Sequence, residues 1–198
     1  MKQDLPALLP EGLRASASRG ALAAGQMLFH QGDPVEHIYY VLRGEVLALR
    51  YLPDGTEAVM QRARAGEFFA QSAMAVSHYA CDAKATAATD VVRLPARQLS
   101  LALSSDGTFA LAFAARLASD LRRQCTRVER LLMRLARDRI LHFLVCEGNL
   151  EDRSLRITDL AKEVGLDPST VSRLIAELRA SGEVVGTGRQ IRLAPRAG

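Results

Sequence analysis

Residues 157–179, ITDLAKEVGLDPSTVSRLIAELR, read as two short helices joined by a tight turn. Thr158 is a suitable N-cap for the first helix, and Asp159 places negative charge in its first turn. Gly165 stands at the break, where a left-handed backbone is cheap for glycine alone. Asp167 suits the N-cap of the second helix and Pro168 its first position, where no amide hydrogen is needed. Ala161 and Gly165 are small where two helices must cross closely. At about 100° per residue, Val171, Leu174, Ile175 and Leu178 share one arc of the second helix. Ser169, Ser172, Arg173 and Ala176 share the opposite arc. The first set can bury. The second is small and polar with one arginine, which suits entry into the major groove, where arginine donates two hydrogen bonds to guanine. The same pattern would also serve a helical hairpin in a core. Small crossing residues, a capped second helix and a polar face together favour a helix-turn-helix. Its expected DNA contacts are Ser169, Thr170, Ser172 and Arg173, with Thr158 on the first helix.

The chain of 198 residues has room for one large or two small domains. Its net charge of +4 is unevenly spread. Residues 1–104 hold ten basic and ten acidic groups, 105–135 six and three, and 136–198 ten and nine. The basic excess in the middle and rear fits a nucleic-acid partner there, as it also fits a solvated helix face. Cys81, Cys125 and Cys146 are far apart with no CxxC, so a disulfide framework and a four-cysteine metal site lack support. Reduced thiols and a cytoplasmic location are the default expectation. No apolar run approaches the ~20 residues of a membrane span, and proline and glutamate interrupt the N-terminal apolar stretch, against a signal peptide. No P-loop, nucleophile elbow or framed pair of carboxylates is present, so no catalytic residue is assigned and an enzyme is not expected.

From Arg19 to about Arg97 the chain reads as β-structure. MLFH (27–30), HIYYVLR (37–43), EVLALRY (45–51) and TEAVMQRA (56–63) are separated by turn residues at fairly even spacing. Asp54-Gly55 between two such segments predicts a hairpin. Residues 83–94 supply one further strand, ending at Pro95. Short strands with glycine corners argue for a small barrel or jelly roll. From about Asp106 to Leu135 proline is absent. Ala114, Ala118, Leu121, Cys125, Val128, Leu132 and Leu135 recur by threes and fours, a heptad seam. Leu117 flanks it, and Arg116, Arg122, Arg123, Arg127, Arg130 and Arg134 lie off it. A helix over 138–146 follows, then a loop or weak strand over 147–156. EVVGTGRQIRL (183–193) reads as a two-stranded wing turning at 186–188, with Arg189 and Arg192 as phosphate contacts.

Gly25, Leu28, Phe29, Gly32, Asp33, Tyr39, Gly44, Asp54, Gly55, Gly66, Glu67 and Phe68 stand in 25–69, GQMLFHQGDPVEHIYYVLRGEVLALRYLPDGTEAVMQRARAGEFF. This stretch resembles the cyclic-nucleotide-binding β-roll of the Crp/Fnr family of bacterial transcription regulators, and the helix-turn-helix resembles that of the same family. The resemblance spans roughly residues 21–193. It implies an α+β chain: an N-terminal, jelly-roll-like β-roll sensor (1–104), a long dimerisation helix (105–136) and a C-terminal winged helix-turn-helix (137–198). It implies a homodimer on a near-palindromic operator, with double-stranded DNA as partner and RNA polymerase as a further one. The expected dimer interface comprises Leu117, Leu121, Cys125, Val128 and Leu132.

Cyclic-AMP-binding members carry a glutamate for the ribose and an arginine–serine pair for the phosphate. Here AQSAMAVSHYACDAKA (70–85) places Gln71 at the glutamate position, and Tyr79 and Ala80 at the other two. A buried cyclic phosphate needs a cation or charge-assisted donors, and the nearest basic residue in sequence is Lys84. Cyclic AMP is therefore disfavoured. His78 and Cys81 make an H-x-x-C pair, too sparse to support haem or metal, and no cofactor or effector is assigned. Two alternatives stand beside the main reading. One is a constitutive regulator whose β-roll is filled by side chains. The other is a small-molecule- or redox-responsive dimer in which DNA contact is secondary.

Overall fold

The structure, a computed structural model, describes residues 9–147, 156–186 and 191–194. They form two compact units that divide between Arg116 and Leu117. The first unit begins with α1 (Glu11–Ser16), β1 (Ser18–Leu22), β2 (Met27–Phe29), β3 (His37–Arg43), β4 (Glu45–Tyr51), β5 (Glu57–Arg64) and β6 (Phe68–Phe69). A 3-10 turn at Gln71–Ala75, β7 (Asp82–Ala85), β8 (Thr89–Pro95), α2 (Ala96–Ser105) and the start of α3 (Gly107–Leu132) follow. The strands make two antiparallel four-stranded sheets, in the orders β1-β8-β3-β6 and β2-β7-β4-β5. Ile38, Val41, Val46, Ala48, Phe69, Val91 and Leu94 are buried members of one core, as expected of two sheets that each bury one face.

The local turns follow the residues. Leu52 donates to the Thr56 carbonyl at 2.9 Å to close the β4–β5 hairpin, and Gly55 has φ +82°. Gly44 joins β3 to β4 at φ +83°. A Cβ on it would meet Thr89 Oγ1 at 2.4 Å and the Ala88 carbonyl oxygen at 2.6 Å, so no side chain fits. The single strand expected over 83–94 is in fact two. β7 pairs with β2 and β4, β8 pairs with β1 and β3, and the chain passes from one sheet to the other between them. A run of small residues at 83–88 gives no local mark of that crossing.

Helix α2 carries Leu99 and Ala102 into the same core. Asp106 then caps α3, its Oδ1 accepting from the Phe109 amide at 2.9 Å. Phe109 and Phe113 anchor the first turns of α3 in the core, with Phe113 edge-on to Phe68 at 5.1 Å.

A charge cluster lies on β4 and β5. Glu45 accepts from Arg62 Nη1 at 2.5 Å, Arg64 Nε at 2.9 Å and Thr86 Oγ1 at 2.9 Å. Burial alone would raise the Glu45 carboxyl. The Arg62 hydrogen bond and charge, with Thr86 and Arg64, instead hold it below the ordinary value of 4.5. A carboxyl lowered in this way adds stability above the ordinary value, and that stability is lost as pH falls through the folded one. Glu45→Gln removes the carboxylate charge that Arg62 and Arg64 share and should cost ~1.5–3 kcal/mol at pH 7. Urea unfolding at pH 7 and below pH 4 checks this: the gap between wild type and variant should shrink in acid.

The second unit comprises the rest of α3, α4 (Ala136–Glu147), α5 (Ile157–Val164), α6 (Pro168–Ala180) and the strand pair β9 (Val184–Val185) and β10 (Arg192–Leu193). Its core holds Ile140, Phe143, Leu144, Leu160, Ala161, Val164, Val171, Ile175 and Leu178. The expected continuous helix to Leu135 stops at Leu132. No proline or glycine breaks it. Arg139 of α4 donates Nε to the Met133 carbonyl at 2.8 Å, a partner from outside the helix that takes an oxygen at its end. Helix α4 starts at Ala136, two residues before the expected Asp138. Residues 148–155, within the expected loop or weak strand, and residues 187–190, within the expected wing and including Arg189, lie outside the described residues.

Candidate nucleic-acid interface and sensor cassette

The helix-turn-helix begins two residues earlier than its capping residues suggest. Arg156, not Thr158, occupies the N-cap of α5, with φ −76° and ψ 141° and no side-chain cap bond. Thr158 is the second residue of the helix and is exposed. Arg156 Nε instead pairs with Asp159 Oδ2 at 3.0 Å. Asp159 therefore does stand in the first turn, beside the helix N-terminus. Gly165 ends α5 at φ 63°, ψ 46°. A Cβ there would meet only the movable end of Leu131, Cδ2 at 2.8 Å, so the left-handed backbone is what calls for glycine. Arg139 Nη1 lies 3.5 Å from the carbonyl oxygens of both Val164 and Gly165, which links this turn to the end of α3. Asp167 is the N-cap of α6 by backbone conformation, with Pro168 in the first turn, but its side chain makes no cap hydrogen bond.

Helix α6 divides as its sequence periodicity requires. Val171, Leu174, Ile175 and Leu178 are buried. Ser169, Ser172, Arg173 and Ala176 are exposed, and Thr170 is half-buried. Gly182, at φ 75°, follows the helix end. One member of the exposed face escapes the sequence reading. Glu177 Oε1 accepts from Arg173 Nη1 at 2.7 Å, with the two side chains 56% and 64% exposed. A reading centred on apolar and basic positions passes over such a carboxylate. The i, i+4 spacing from Arg173 was the available signal.

On α3, Leu117, Leu121, Cys125, Val128 and Leu132 all lie exposed, with Leu121 at 65%, Val128 at 56% and Leu132 at 78%. Leu111 extends the stripe by one more step. The arginines off the seam are not alike. Arg116 reaches Glu67 at 3.2 Å and Arg127 reaches Glu163 at 3.5 Å. Arg130 is fully buried: Nη2 donates to Glu147 Oε1 at 2.7 Å and the guanidinium lies 4.7 Å over the Phe143 ring. Among the described residues its Nε and Nη1 find no hydrogen-bond partner.

In the cassette, Gln71 is buried and accepts from Gln61 Nε2 at 3.0 Å. Tyr79 stacks on Phe29 at 3.6 Å and 10°, and donates its hydroxyl to the His37 carbonyl at 2.5 Å. Burial, then its hydrogen bond with Tyr79, pushes the Tyr39 phenol far above its ordinary value, and burial pushes Tyr79 upward too. Both are neutral at physiological pH. Ala80 is exposed. The cation that meets it is not Lys84 but Arg50, which donates Nε to the Ala80 carbonyl at 2.9 Å from β4. Thirty residues of separation hid that contact. Burial raises the Cys81 thiol, with Arg50 opposing and Asp82 assisting. His78 meets Ser77 rather than Cys81. His142, unassigned from sequence, lies 3.7 Å from Cys146 Sγ and 3.6 Å from Glu129. Among the described residues no three such side chains cluster as a metal site, and no helix is long and apolar enough to cross a membrane.

Two family models match the chain: a cyclic nucleotide-binding domain over residues 19–106 and an IclR helix-turn-helix domain over 149–186. Over nearly the whole chain, the fold is that of FixK2 from Bradyrhizobium japonicum, at 24% identity and TM-score 0.77, covering 91% of this chain and 93% of that one. The chain thus pairs a segment similar to cyclic nucleotide-binding domains with one similar to helix-turn-helix domains. A CRP-family transcriptional regulator from Thermus thermophilus is similar at 22% identity and TM-score 0.69, over 89% of this chain and 92% of that one. The c-di-GMP-responsive global regulator CLP of Xanthomonas campestris is similar at 20% identity and TM-score 0.72, over 91% and 95%. These neighbours are described as regulators, not as enzymes. No curated protein matches the chain.

Proposed function

We propose that the protein is a homodimeric, sequence-specific transcription regulator that binds a near-palindromic operator and does not depend on cyclic AMP. The observation that carries the reading is the division of α6. Its apolar arc is buried while Ser169, Ser172 and Arg173 stand exposed on a helix that follows a glycine turn. Such a face offers hydrogen-bonding side chains to base edges in a major groove. The bare seam of α3 supports a second copy as the dimer partner, because a strict heptad of exposed leucine, valine and cysteine is the surface that a parallel helix pair buries. Thr158 and Arg189 are then phosphate contacts, and RNA polymerase is a further partner. Selection from a random duplex pool tests the reading. Recovered sites should be inverted repeats with half-sites about 34–36 Å apart. Recovery of no common sequence would refute it.

The residues at the cassette do not suit a cyclic phosphate. Gln71 is neutral and already bonded, the Tyr79 hydroxyl is committed to a carbonyl, and Ala80 has no donor side chain. Desolvating a phosphate against these groups is costly, and Arg50, the cation beside them, gives its Nε to the Ala80 carbonyl. Calorimetry with millimolar cyclic AMP should show no saturable heat, and the nucleotide should leave DNA affinity unchanged. Saturable binding that strengthens DNA binding would overturn this.

A further inference from the structure

We propose that Glu177 is a second determinant of operator choice, acting by holding Arg173 to one donor edge and by opposing contact with DNA that lacks the matching base. The inference rests on the base-facing assignment of α6. Glu177 sits one turn after Arg173, and its Oε1 accepts a hydrogen bond from Arg173 Nη1 at 2.7 Å. The guanidinium has five donors in a rigid fork, so engaging Nη1 leaves the Nε–Nη2 edge for the two acceptors of a guanine.

The pair contributes little to the helix itself. Both groups are mostly exposed, and exposed pairs are screened. The arginine precedes the glutamate, the poorer order for the helix dipole. Its effect instead appears against DNA. Without a guanine, an unrestrained Arg173 can turn to a phosphate of any sequence. The carboxylate competes for it, and repels the phosphates wherever its own charge is not matched.

Operator duplexes recovered from the random pool, their single-base variants and a random-sequence duplex are the probes. They are titrated against the full-length dimer at two salt concentrations. For Glu177→Gln, preference for G·C over the other pairs at the position read by Arg173 should fall roughly five- to tenfold per half-site. Random-duplex affinity should rise, and its salt slope should steepen by about one per protomer as Arg173 moves to phosphate. Glu177→Asp keeps the charge and should retain the wild-type slope. Melting temperature and dimer mass should not change, which separates the effect from a structural one. If Arg173→Ala flattens the base preference and Glu177→Gln does not, this inference alone is overturned. If Arg173→Ala leaves the preference intact, the base-facing assignment fails and the inference falls with it.

Discussion

Val128→Lys should convert the dimer to a monomer. Val128 is 56% exposed in the single chain, so a lysine there meets water and should leave the isolated protomer folded. In a parallel pair the same position faces its twin, and two ammonium groups would be buried together with no partner. Leaving such charges uncompensated costs about 3–5 kcal/mol, or about a hundred- to several-thousandfold in the dimer dissociation constant. Light scattering after size exclusion should report half the wild-type mass, with an unchanged far-ultraviolet circular dichroism spectrum. Operator affinity should fall with it, because two half-sites would no longer be bound as one event. A variant that stays dimeric places the interface elsewhere than Leu121, Cys125, Val128 and Leu132.

Arg173→Ala should cost about 1–3 kcal/mol per half-site, so a symmetric operator loses roughly the square of the single-site factor. The loss should be selective. Arg173 is the long cation on the exposed arc of α6 between Ser169, Ser172 and Ala176, and an arginine on guanine discriminates only where the guanine is. Binding measured over single-base operator variants should therefore become flat at one G·C pair per half-site and keep its profile elsewhere. A uniform loss across all variants, with a shallower salt slope, would assign Arg173 to phosphate and reverse the orientation of the helix.

What could be read from residues alone was whatever local interactions decide. The bounds of HIYYVLR and EVLALRY coincide with β3 and β4, because alternation and the glycines around them set the strands within a few residues. The two arcs of α6 follow from helical periodicity for the same reason. The heptad of α3 was equally plain, but its final step was not. The helix ends at Leu132 since Arg139, seven positions on, takes the Met133 carbonyl. Thr158 looked like a cap and is not, because Arg156 and Asp159 pair across the first turn.

The sequence by itself determined the order of the parts: a β-roll with hairpins at its glycines, a long helix with an apolar seam, and a helix-turn-helix with a polar face. Each rests on spacing within one segment. Only the tertiary structure decided which arginine is buried, since Arg130 and its neighbours are alike in sequence and differ in what α4 places against them. It likewise decided that Gln61 answers Gln71 and that Arg50 reaches Ala80. Those contacts join residues on different elements, and the packing of the elements, not the chain between them, sets which polar group finds which partner.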